Sequence, residues 1–174
     1  MGTEKSRRVV TMRLVTAGVL AAVIFVSTYF LHISTPFNNG YVHPGDAFLY
    51  LAACMLPAPY AMAAGALGEA FSDLLASPIY CLPTLVIKAV MALFFTARSE
   101  KFITRHNVVG MLLASVTGLL GYFLFESFMF HSVQVAALNM IFGSLQPIVS
   151  GILFMALGSA FDGMHLKKRL FLEK

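Results

Sequence analysis

Every Lys and Arg of this 174-residue chain except Lys88 lies in one of three short segments, residues 5–13, 98–105 and 167–174. The stretches between them are long and apolar. In membrane proteins the cytoplasmic loops collect Lys and Arg, so the pattern predicts that both ends and the central linker face the cytoplasm. An even number of crossings must then separate the linker from each end. The bulk numbers agree: 59% of residues are hydrophobic, 11% are charged and mean hydropathy is +0.81, against about 25% charge in ordinary soluble domains. A chain of this length holds about six helices of about 20 residues, each able to cross a hydrocarbon core of about 30 Å. No room remains for a soluble catalytic domain, and the net charge of +4 reads as topology and not as nucleic-acid binding.

The punctuation along the chain places six helices in a single membrane domain over residues 1–174, at about 11–33, 46–56, 60–76, 83–97, 108–130 and 135–162. STPFNNGYVHPG is rich in turn formers and free of Lys and Arg, which predicts an outer loop. Asp46 follows Pro44-Gly45 and is placed to cap the second helix. Pro57 and Pro59 predict a tight inner turn. The third helix is rich in Ala and Gly, which let backbones approach closely in lipid. The resulting fold class is an all-α bundle of six transmembrane helices, N-in and C-in.

Ionisable residues at membrane depth cost at least about 2.5 kcal/mol each and face partners or aqueous cavities. Glu69, Asp73, Lys88 and Glu126 are the four in question. Glu69 and Asp73 share a face of the third helix, and Lys88 falls at a similar depth on the fourth. One reading is a buried ion pair of Lys88 with Asp73 or Glu69; the other is a ligand anchor. Tyr122 lies one turn from Glu126 on one face, and Asn139 and Gln146 share a face of the sixth helix. A carboxylate, a phenol and two amides can thus converge on an outward-opening pocket suited to a small polar heteroaromatic ligand, with His43 of the outer loop lining or capping it. Each of these groups could instead serve only interhelical hydrogen bonding. Cys54 and Cys81 fit no metal or redox spacing, and no zinc-enzyme, phosphate-loop or nucleophile-elbow motif occurs.

The stretches GYVHPGDAFLYLAACMLP and AAGALGEAFSDLL, with Ala17 and Ala21 in A-x-x-x-A spacing on the first helix, complete a pattern. It resembles the substrate-binding S components of energy-coupling factor (ECF) vitamin transporters, over nearly the whole chain. The resemblance implies a multi-pass protein of a bacterial cell membrane that binds a small water-soluble vitamin at its outer side. It implies partners as well: a transmembrane coupling subunit, docked at Ala17 and Ala21, and two ATPases. It further implies that the first outer loop is a lid, and that the pocket lies among helices four to six and the outer loops, where Lys88, Glu126, Asn139 and Gln146 fall; with His43 and Tyr122 these are the expected substrate contacts. No catalysis and no cofactor are expected. Without tryptophan the chain does not suit thiamine. Vitamin B6 is the first expectation, with hydroxymethylpyrimidine, a queuosine precursor, pantothenate and riboflavin as alternatives. The competing class is an intramembrane hydrolase using Glu69, Asp73 and histidine, for which no nucleophile–base pair is evident.

Overall fold

Proline and small polar residues set the ends of the helices. The computed structural model describes residues 2–34 and 41–169. Helix α1 spans Gly2–Phe30, and two short strands, β1 (Ile33–Ser34) and β2 (Tyr41–Val42), pair antiparallel after it. Residues 35–40, the centre of the loop expected to be a lid, lie outside the described residues. Helix α2 (Gly45–Met55) stops before Pro57, and α3 (Ala58–Ala76) starts with Pro59 in its first turn, where a missing N–H costs nothing. A single 3-10 turn, Pro78–Tyr80, leads into α4 (Cys81–Ala92). The Thr104 hydroxyl caps α5 (Arg105–Met129), accepting from the Asn107 N–H at 3.1 Å, and Ser132 caps α6 (Val133–Gly143) in the same way. Helix α7 is Leu145–Gly163.

Three of these differences from the sequence reading have clear causes. The fourth helix ends at Ala92, short of residue 97, and the Asn107 side chain holds the chain that follows: it accepts from the Thr96 N–H at 2.9 Å and donates to the Thr96 and Phe102 carbonyls. The stretch read as one helix over 135–162 is interrupted at Ser144. Pro147 carries no N–H to donate to the Gly143 carbonyl, so the hydrogen-bond ladder is weakened there. Asp46 does not cap α2 with its side chain; it points inward, to a partner described below.

Helix α2 is the centre of the bundle, buried at nine positions from Gly45 to Cys54 and packed on α1, α3 and α7. Its Tyr50 stacks on Phe95 at 5.1 Å between ring centroids and meets Phe154 edge-on at 5.7 Å. Around it α1 packs on α3, α3 on α4, α4 on α5 and α5 on α6. Helices α1 and α3 approach so closely that a Cβ on Gly68 would sit 2.7 Å from the Ala21 carbonyl oxygen; only glycine fits there. The outer helices turn large apolar residues outward, among them Val15, Val19, Leu113, Leu120, Ile148 and Ile152. Such a belt is stable against lipid and not against water. Among the described residues Ser6–Phe30, Arg105–Met129 and Val133–Gly163 are long and apolar enough to cross a membrane.

Candidate functional site

The β1–β2 ladder, the α3–α4 turn and the α5–α6 turn all lie at one end of the bundle, opposite the 93–104 linker. Polar side chains that the sequence scatters over a hundred residues meet just inside that end. Fully buried Lys88 on α4 places its Nζ 2.5 Å from Asp46 Oδ1 on α2 and 2.9 Å from Glu69 Oε2 on α3. The Gln146 Nε2 of α7 donates to the other Asp46 oxygen at 2.7 Å. His43 Nε2 lies 3.7 Å from Glu69 Oε2, and its Nδ1 accepts from the Gly45 N–H at 3.2 Å. Burial, and after it the Lys88 ammonium, lowers the imidazole pKa to about 3, so His43 is neutral at ordinary pH and can accept at Nδ1. Together these groups tie α2, α3, α4, α7 and the outer loop at a single point. Each buried charge needs such partners, because a charge taken out of water unpaired costs several kcal/mol.

Of the two carboxylates the sequence offered Lys88, Glu69 is a partner and Asp73 is not. It accepts a hydrogen bond from the Tyr41 hydroxyl, which also lies 3.2 Å from Ser72 Oγ. Strand β2 is thereby fastened to the end of α3.

A second polar cluster faces the first. The Glu126 carboxylate of α5 accepts from the Tyr80 hydroxyl and from Asn139 Nδ2, each at 2.9 Å. Thr84 and Tyr122 share a hydrogen bond at 2.7 Å, and the Lys88 Nζ stands 5.6 Å from the centre of the Tyr122 ring. A carboxylate offers only acceptors, so the Asn139 NH2 must turn to Glu126 and its Oδ1 must turn away. That oxygen is buried with no hydrogen-bond partner among the described residues.

Between the clusters lies an open pocket. His43, Lys88, Tyr122, Glu126, Asn139 and Gln146 all line it, with apolar wall from Met91, Leu119, Phe123, Met140 and Pro147. Sequence reasoning missed Asp46, Tyr41 and Tyr80. An Asp beside a helix start reads locally as a cap, and two tyrosines in turns carry no local signal of function. Ala17 and Ala21 are placed differently from an open docking face. Ala17 is buried in the core and Ala21 is half-buried beside Gly68 of α3; the small residues on the open side of α1 are Gly18 and Ala22.

No curated protein matches the chain. A solved structure, that of the S component of a bacterial ECF transporter, shares the fold with a TM-score of 0.71 and 18% identity, over 94% of this chain and 99% of that one. Residues 8–162 match the family described as the ECF-type riboflavin transporter, S component. With the match running across the bundle, the pocket included, the chain belongs to the S-component family of ECF-type riboflavin transporters: it is a membrane-integral substrate-binding subunit of a vitamin transporter and not an enzyme.

Proposed function

We propose that this chain captures riboflavin at the outer face of a bacterial membrane and hands it to a transmembrane coupling subunit driven by two ATPases. It does so as one membrane domain of six crossings, N-in and C-in, α6 and α7 together making the sixth. The observation that carries the substrate is the family match, joined to a pocket of fitting chemistry at the end away from the basic linker. Riboflavin combines a flat tricyclic ring, edged by carbonyls and one N–H, with a chain of hydroxyls. Aromatic walls suit the ring, and the ammonium, carboxylate and amide groups suit the polar edges. The polar groups taken alone favoured vitamin B6; the family match favours riboflavin. His43, Lys88, Tyr122, Glu126, Asn139 and Gln146 are the proposed contacts, and α1 is the proposed docking helix, its Ala17–Ala21 stretch forming the floor and Gly18 and Ala22 the open side.

Binding is testable on the purified protein, since stacking on aromatic side chains quenches riboflavin fluorescence. Saturable quenching at one riboflavin per chain, with no competition from pyridoxine in excess, is the expected result. Competition by pyridoxine, or an unquenched signal, would return the substrate to the other vitamins.

A further inference from the structure

The pocket is a slot whose two long walls differ in kind. One wall is α5, with the side chains of Leu119, Tyr122 and Phe123; the other is the α6–α7 junction, at Asn139, Met140, Gly143 and Pro147. Helix α6 packs on α5, whereas α7 packs on α2. The chain changes neighbour at the interruption around Ser144, and the slot opens beside it.

Gly143 sits at that change. A Cβ built on it meets nothing within 4 Å, so neither helix packing nor a close backbone neighbour calls for glycine. Its φ is not positive either, so no turn requires it. Gly118, on the opposite wall, differs in that a Cβ there would come into van der Waals contact with the Met91 side chain, at 3.4 Å from its sulfur. Gly143 is the last residue of α6, and no packing contact there calls for the loss of a side chain. What the missing side chain does leave is free volume inside the pocket. The backbone exposed there is also short of a donor, because Pro147 has no N–H for the Gly143 carbonyl. One turn earlier on the same face, Asn139 Oδ1 is buried and lacks a partner.

We infer that Gly143 is a specificity-determining residue: the flat face of the bound ring lies against bare backbone at the α6–α7 junction, and the absent side chain sets the width of the slot. The inference rests on the riboflavin reading for the identity of the ring, while the position of Gly143 in an open, ligand-facing wall does not.

The test uses the full chain in detergent, with riboflavin quenching and thermal unfolding read on the same samples. Gly143→Ala should bind about tenfold more weakly and Gly143→Leu about a hundredfold more weakly, both unfolding at or above the wild-type temperature. Gly163→Ala, the control at the far end of α7 where a Cβ also meets nothing, should bind as wild type. Gly143→Cys, in a chain with Cys54 and Cys81 replaced by alanine, should react with a membrane-impermeant maleimide added outside intact cells and be protected by riboflavin. Wild-type affinity in both Gly143→Ala and Gly143→Leu, or an unreactive Gly143→Cys, overturns the inference. Should the cysteine label while the wild-type chain ignores riboflavin, the substrate assignment falls and the ligand-facing position of Gly143 stands.

Discussion

The two ends of the bundle bury the same kinds of residue and use them in opposite ways. At the linker end, Asp162 accepts from the Phe102 N–H at 2.6 Å and the Ile103 N–H at 3.0 Å, and Lys167 donates to the carbonyls of Ala97 and Ser99. Asn107 completes the set by binding Thr96 and Phe102. Nearly every partner there is backbone: the side chains replace the helix that stops at Ala92. At the other end, Lys88, Asp46, Glu69, Gln146, Glu126, Tyr80 and Asn139 bond to one another beside the pocket, and Asn139 Oδ1 has no hydrogen-bond partner among the described residues. A polar cluster that satisfies backbone holds a fold together. One that satisfies side chains around a pocket is prepared for a ligand.

The sharpest way to break the comparison is topological, because its outcome is all or none. With Cys54 and Cys81 replaced, single cysteines in the 98–106 linker should resist a membrane-impermeant thiol reagent in intact cells, and cysteines at Ser34 and at positions 36–40 should label. The reverse pattern would put the pocket on the cytoplasmic side and remove the transport reading.

Next in size is Lys88→Met. It leaves Asp46 and Glu69 facing each other without a cation, which should cost about 3–5 kcal/mol of stability and abolish riboflavin binding, read by thermal unfolding and quenching. Retention of wild-type stability would show that the cluster tolerates neutralisation and that the ion pairs are not structural.

Asp162→Ala tests the opposite end. Losing two hydrogen bonds to a charged acceptor should lower stability by about 1.5–3 kcal/mol while riboflavin affinity stays at its wild-type value. A matching fall in affinity would mean that the two ends are coupled and the contrast between them is wrong.

The smallest effect is acid sensitivity at His43. Its folded pKa, about 3, lies below the unfolded value of about 6.5, so the neutral form is favoured by folding. The stability it contributes is complete above the unfolded pKa and is lost as pH falls from there toward 3. Between pH 7 and pH 5 the wild-type chain should therefore lose roughly 1–2 kcal/mol more than His43→Gln. Equal losses in the two chains would mean that the imidazole is solvated and not sealed against Glu69.

The positions of the helices and the choice of polar residues were largely legible in advance. Hydropathy and Lys/Arg clustering act over one helix or one loop, so they mark spans wherever packing later puts them. The same locality explains the misses. Pro147 was visible, yet only the packing of α6 on α5 and α7 on α2 turned it into a junction beside a pocket. Asp46 carried a local role as a cap, and a buried ammonium from another helix outcompeted it.

By itself, then, the amino-acid sequence determined a membrane bundle and the short roll of charged or amide residues that had to find partners inside it. Only the tertiary structure decided the pairings: Lys88 with Asp46 across 42 residues, Tyr80 with Glu126 across 46, and Gln146 with Asp46 across 100. The physical reason is that the cost of burying a polar group is a property of the residue, whereas its compensation depends on which helix faces come within about 3 Å of each other.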